Sequence, residues 1–305
     1  MTGVLTAGVI ATAPIMLAAL GGLLSERAGV MAIGLEGYLV VGAFAGLWGA
    51  HGYGTVVGVM AAVGAGLLIG ALVAWLCVSL RASQVVVGLT VILLAAGATA
   101  YANFTIYNAE IVSLAGLPDI AIPGLSELPT IGPALFDQPI FWYFAVLVGL
   151  VMILYFRQTT SGLALHATGE NPFAAQARGI RVTTVRYAAV LASAVLASLG
   201  GAIFTIGQGL QFSPTISAGR GFIALAAIYL GGWRVGPVMA ACLLFGLADV
   251  AQLWANVLGI GISASILSTA PYVATLVALA TLRRRGSMPG ALGVPFSREQ
   301  RAVAQ

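Results

Sequence analysis

The chain has 305 residues, of which 60% are hydrophobic and 7% charged, with a formal net charge of +4. A soluble domain carries roughly 25% charged residues, so the composition specifies an all-α polytopic membrane protein, and its basic balance reflects membrane topology rather than nucleic-acid binding. All 13 basic residues are Arg, which excludes a P-loop ATPase and Schiff-base chemistry on Lys, while Cys77, Cys242, His51 and His166 are too few and too scattered to suggest a metal site or a structural disulfide.

The hydropathy pattern predicts about nine spans (eight to ten), some short or broken, each needing about 20 apolar residues. The first is Val4–Leu24, without the basic flank of a signal peptide, and Ser25-Glu26-Arg27 interrupts it. The next three are Gly29–Ala50, Thr55–Leu80 and Ser83–Phe104. A polar stretch, Thr105–Pro139, follows with four acids, five prolines and no basic residue. Ile140–Phe156 is the fifth span and Tyr187–Gly207 the sixth. Gly221–Gly232 is a short seventh, re-entrant or broken, before Pro237–Trp254 and Ser263–Leu282. The domain plan is a single transmembrane domain over residues 1–282 and a polar, cytoplasmic tail over 283–305. Pairs such as Gly42/Gly46, Gly54/Gly58 and Gly66/Gly70 sit at the spacing that lets membrane helices pack closely.

Arginine sets the orientation. Alternating nine spans places twelve arginines on one side, taken as cytoplasmic, and only Arg220 on the other, with the N-terminus and the acidic 105–139 loop outside. The basic insert, residues 157–186, is therefore cytoplasmic. Within it Asn171-Pro172 opens a short helix and Gly179 closes it, in keeping with the preferences for Asn at the N-cap, Pro at the first helical position and Gly after the last turn. Phe173, Ala174 and Ala177 are expected on one side of that helix. A short capped helix on a basic loop suits docking of a soluble partner, and an ordinary loop obeying the charge rule is the alternative.

Gly29–Ala43 resembles Gly221–Gly232, and each precedes a span that opens on a Val-Met-Ala run. The first copy enters from inside and the second from outside, the pattern of an inverted repeat with substrate near the repeat interface. Glu36 and Asp249 lie within spans. A carboxylate at that depth is costly unless paired, hydrated or protonated, so each either contacts substrate or satisfies the backbone of a broken helix. Asn103, Gln208 and Gln211 lie near span ends as candidates for a polar path, together with Phe104. The outer-half aromatics, Phe204 and Phe212 among them, form an interfacial belt or a platform for a planar ring.

Three runs carry a family resemblance. Leu24–Gly37 (LSERAGVMAIGLEG), Gly162–Ile180 (GLALHATGENPFAAQARGI) and Gly219–Ala227 (GRGFIALAA) with Gly231-Gly232 resemble, in this order, permeases of ATP-binding-cassette importers in the branched-chain amino acid/ribose superfamily, most of all the nucleoside and simple-sugar branch. The similarity extends from about Pro14 to Leu282, and Ala32 stands where the family pattern has Asn. The resemblance implies a permease subunit of an importer for nucleosides, or alternatively simple sugars, in the plasma membrane of a prokaryote. Its implied partners are cytoplasmic ATPase subunits that bind the ATP, a second and different permease, an extracellular substrate-binding lipoprotein and the lipid bilayer. No cofactor is implied in this chain. The ATPase would be coupled through Glu170, Asn171, Pro172, Phe173, Ala174, Ala177, Arg178 and Gly179. A secondary transporter with Glu36 or Asp249 carrying a proton is the reading from another class.

Overall fold

A computed structural model describes residues 2–108, 112, 114, 116–117, 119–121, 131–209, 211–257 and 288–296. Eleven helices are described: α1 (Thr2–Arg27), α2 (Leu35–Tyr53), α3 (Thr55–Ala74), α4 (Gln84–Tyr107), α5 (Ile131–Phe136), α6 (Ile140–Gln158), α7 (Thr160–Glu170), α8 (Pro172–Ala177), α9 (Val182–Ala202), α10 (Arg220–Leu230) and α11 (Val235–Val257). Single π turns, Trp75–Ser79 and Ile203–Gly207, extend α3 and α9. In the outer stretch, β1 (Asp119–Ala121) pairs antiparallel with β2 (Asp137–Pro139), with Ile120 opposite Gln138.

Among the described residues five helices, Leu5–Arg27, Thr55–Ser79, Gln84–Tyr107, Ile140–Gln158 and Val182–Gly207, are long and apolar enough to cross a membrane. The expected seventh span is α10, whose 11 residues cover only about 16 Å at 1.5 Å per residue. It is too short to cross a bilayer alone. The expected ninth span lies outside the described residues. Ser25-Glu26-Arg27 does not interrupt the first helix, which runs through Arg27. Glu26 stays helical and buried because Trp233 Nε1 donates to it at 2.6 Å.

Helix α1 lies at the centre, between α9 and α11, with Ile15 to Leu20 fully buried. Alongside it runs a seam of small residues between α2 and α9. A Cβ at Gly201 would strike the carbonyl of Leu39, and one at Gly42 would strike the Ser198 backbone. Lipid tails are as apolar as leucine, so close backbone approach and interhelical hydrogen bonds drive this packing. Ser198 Oγ donates to Tyr38 O at 3.1 Å and Thr205 Oγ1 to Ala43 O at 3.0 Å, both across the seam. Gly66 and Gly70 pack α3 on α9 at Ala194, and Gly58 packs α3 on α2 at Gly46. Gly54 has nothing near it and instead makes the α2–α3 turn at φ +92.

The C-terminal ends of α1 and α6 and the starts of α9 and α11 bring Arg27, Arg157, Arg186 and Arg234 to one end of the bundle, the end expected to be cytoplasmic. Relative to that end, α2–α3 is a hairpin closed at the far side, where Gly49 meets Gly58, whereas α10–α11 closes at the near side, where Gly231 meets Val238. The two hairpins therefore run in opposite senses, as an inverted repeat requires.

The C-terminal residues 288–296 are not a free polar tail. Ala291 N–H donates to Gly169 O at 2.8 Å and Gly293 N–H to Gly29 O at 3.2 Å. Arg186, 1% exposed, joins the same place, donating from Nη1 to Val294 O at 3.0 Å and from Nε to Ala28 O at 3.1 Å. This segment straps the break before α2 to the loop helices α7 and α8.

Candidate functional site: a carboxylate between two helix N-termini

After Arg27 the chain leaves α1, crosses a turn of Gly29–Gly34, and restarts as α2 at Leu35. Gly200 of α9 lies against both Leu17 and Leu39, so the first turn of α2 is level with the middle of α1. Glu36 is the second residue of α2 and is 9% exposed. Its carboxylate reaches the start of α10. Ser217 Oγ donates to Oε1 at 2.6 Å, Gly219 N–H to Oε1 at 2.8 Å and Gly221 N–H to Oε2 at 2.7 Å. A Cβ at residue 221 would strike the Glu36 backbone, so only glycine lets the two helices approach this closely.

Two helix N-termini thus converge on one carboxylate inside the membrane. Each carries roughly half a positive charge, so together they offset the charge of Glu36. Both its oxygens are engaged by donors, two of which are backbone N–H groups that would otherwise be unsatisfied at the start of α10.

One residue on, Arg220 donates to Asp249 Oδ2 from Nη2 at 2.8 Å and from Nε at 3.3 Å. Its guanidinium stands over the Phe204 ring, 5.3 Å from the centroid. Both side chains of the pair are about one-fifth exposed (20% and 22%). The single arginine expected on the outer side is therefore the partner of the intramembrane aspartate, as the cost of an isolated charge in lipid demands. Glu36 and Asp249 come together on consecutive residues at the start of α10, within one polar cluster that links α2, α10, α11 and the π turn of α9.

Of the other residues expected along a path, Gln208 ends the π turn of α9 and donates to Ile10 O at 3.4 Å. Gln211 is exposed on the connection to α10. Asn103 and Phe104 are not at the cluster. They sit at the outer end of α4, which packs on α2 and α3, and Phe104 is 63% exposed. An aromatic stacking platform does not form from Phe204 and Phe212 either. The first ring is covered by Arg220 and the second packs edge-on against Phe44 at 5.3 Å.

On the inner side, the loop holds two helices rather than one. Helix α7 continues to Glu170, and Asn171 then caps α8, its Oδ1 accepting from Ala174 N–H at 3.0 Å, with Pro172 in the first turn. Ile180 N–H donates to Ala175 O, Gly179 N–H donates to Gln176 O, and Gly179 sits at φ +84, the left-handed stop that glycine favours. Phe173 lies a turn from Ala177, as expected, but is more covered than Ala174 and Ala177. Its ring packs on Phe296 at 5.3 Å, while Asn171, Ala174, Ala177 and Arg178 stay exposed. Glu170 is tied to the C-terminal segment, Oε2 accepting from Gly290 N–H at 3.3 Å, and His166 Nδ1 lies 3.7 Å from Oε1. Ser217 and Phe296 carried no sequence signal, being ordinary residues whose roles depend on partners far along the chain.

The family described as branched-chain amino acid transport system / permease component matches residues 4–282. The guanosine ABC transporter permease protein NupQ of Bacillus subtilis is 33% identical over 311 residues, covering 98% of this chain and 97% of that protein. The nucleoside ABC transporter permease protein NupC of Lactococcus lactis is 34% identical over 306 residues, covering 94% of each. A provisionally named glucose ABC transporter permease protein of Haloferax volcanii is 32% identical over 335 residues, covering 97% of this chain and 98% of that protein. No solved structure matches the chain.

Proposed function

The chain belongs to the branched-chain amino acid transport system permease family, and from that premise we propose that it is the permease half of an importer for nucleosides. The observation that carries the substrate is the similarity, at 33–34% identity over nearly the whole length, to permeases named for guanosine and for nucleosides. A simple-sugar importer is the second reading, favoured by the glucose-named relative at 32%. The chain works in the plasma membrane of a prokaryote, beside a second, different permease, with an extracellular lipoprotein delivering substrate and cytoplasmic ATPase subunits binding ATP.

The inverted hairpins supply the mechanism. Helices α2 and α10 meet end to end at Glu36, so rocking one repeat against the other opens the bilayer middle to each side in turn. Glu36, Gln208 and Asp249, with Arg220, stand beside that path, whereas Asn103, Phe104 and Gln211 belong to its outer approach. The exposed face of α8, made by Asn171, Ala174, Ala177 and Arg178 and held by Glu170, Pro172, Phe173 and Gly179, docks in a groove of the ATPase. A proton-carrying role for Glu36 finds less support, since both its oxygens are engaged by donors.

Uptake of labelled guanosine and of labelled glucose, in cells with and without the chain, tests the substrate. Loss of guanosine uptake alone supports the nucleoside reading, loss of glucose uptake alone replaces it with the sugar reading, and unchanged uptake of both removes the two together. For coupling, Ala174→Glu puts a charge on the docking face of a residue that supports no packing. Uptake is expected to fall more than about tenfold, the effect of roughly 1.4 kcal/mol or more in a coupling step, with membrane insertion unchanged. Normal uptake in that variant would remove α8 from the coupling role.

A further inference from the structure

At the inner end of the bundle, a cavity of about 330 Å³ lies between α6, α7 and the α10–α11 turn, at the small end of the range for ligand pockets. It exists because α6 and α11 touch at Gly149 and Met239 and leave a gap below that crossing. Arg27, Arg157, Arg234 and His166 line it, with Phe156 and Trp233 in its wall. Arg27 is fixed there by its Nε bond to Trp233 O at 2.7 Å and by its place over the Phe156 ring at 5.9 Å. Arg234 is near enough to Arg27 for the two charges to repel. Among the described residues none of the three arginines is in a salt bridge. Glu170 attracts Arg27 without pairing with it and accepts from Gly290 N–H, and Glu26 is taken by Trp233. Arg157 and Arg234 are exposed at the mouth of the pocket and Arg27 is partly buried within it, so three positive charges face one opening and favour an anion there.

The surroundings indicate which anion. Ile140, Phe144, Leu147, Val151 and Leu154 form an exposed apolar stripe along α6, 40–56% exposed, and the stripe ends one turn before Arg157. Beside the pocket Leu163 of α7 is 68% exposed. The inner half of the α6 stripe, Leu147 to Leu154, stops at a basic, aromatic-walled pocket, which matches acyl chains along the helix and a phosphate-bearing headgroup in the pocket. We propose that this pocket binds the headgroup of an anionic phospholipid of the inner leaflet, tying α1, α6–α7 and the α10–α11 turn together at the face where the ATPase docks. The inference rests on the proposed orientation, with this end of the bundle cytoplasmic, and stands whether the cargo is a nucleoside or a sugar.

The test uses the full chain purified with its partner subunits and equilibrated with mixed vesicles of phosphatidylcholine and phosphatidylglycerol. The lipid retained after detergent extraction is identified by mass spectrometry. An arginine near an anionic lipid surface contributes a factor of about five, so the wild type is expected to enrich phosphatidylglycerol well above its bulk share. The variant R157Q/R234Q should lose about 25-fold of that preference, while R181Q, an exposed arginine outside the pocket, retains it. Wild-type protein that retains the two lipids in their bulk ratio would overturn the proposal without reference to any variant. So would binding of glycerol 3-phosphate, at matched ionic strength, by protein that shows no enrichment of phosphatidylglycerol, which marks a site for a soluble anion. Loss of the ATPase subunits from R157Q/R234Q with an unchanged lipid ratio would reassign the pocket to a protein interface.

Discussion

Glu36 shows how one side chain holds a break in a membrane helix. Its two oxygens take three donors from a segment more than 180 residues away, and hydrogen bonds to a charged group are worth about 1.5–3 kcal/mol each. In Glu36→Gln the amide nitrogen must face an N–H, which leaves a donor unsatisfied. The expected result is a loss of about 1–3 kcal/mol, read as a lower thermal unfolding temperature of the purified protein, with transport falling alongside it. An unchanged unfolding temperature would show the cap to be dispensable. Arg220 and Asp249 make a different prediction. Removing either alone leaves a charge unpaired in the membrane, whereas removing both leaves none. R220Q and D249N should each be less stable than R220Q/D249N, by about 1–3 kcal/mol of coupling in a double-mutant cycle. Additive effects would mean that the two side chains act independently.

Among the elements, α2 and α9 depend on the absence of side chains. Gly201 meets the Leu39 carbonyl and Gly42 the Ser198 backbone, and neither neighbour is a flexible side chain that can swing away. Gly201→Val is therefore expected to separate the helices and break the bonds from Ser198 and Thr205, costing more than the 1–3 kcal/mol of ordinary overpacking. Poor recovery of folded protein from membranes, set against normal recovery of Gly64→Val, where nothing lies within 4 Å, checks this. At α8 the local signals were legible in the sequence. Asn171, Pro172 and Gly179 cap and stop the helix as their spacing predicts. The packing of Phe173 was not legible, because its partner Phe296 lies 123 residues further on, in a segment that reads as a polar tail.

For the whole molecule, the C-terminal strap joins parts that the sequence presents as separate. Residues 288–296 bind the Gly29 turn, the end of α7, Arg186 and α8. They thus link the break beneath Glu36 to the exposed helix α8. Truncation after Ser287 would leave Arg186, 1% exposed, without its Val294 acceptor, and Phe173 without its ring partner. The expected outcome is a protein that still inserts but whose uptake falls several-fold, with greater protease sensitivity at α7–α8. Full uptake and unchanged cleavage after truncation would reduce the strap to an ornament.

Sequence alone determined the membrane class, most of the span positions, the caps of α8 and the family. Each of these depends on composition or on residues within a turn or two of one another, and lipid enforces them strictly because an unpaired polar group has no water to turn to. It also identified Glu36 and Asp249 as residues needing partners. Only the tertiary structure decided which partners they took. Ser217, Gly219 and Gly221 for the one and Arg220 for the other follow from the packing of α2 and α11 against the start of α10, and no local pattern encodes that meeting. The same holds for the strap and for the basic pocket beneath the Gly149–Met239 crossing, where residues from distant elements form one environment because small side chains let their helices touch.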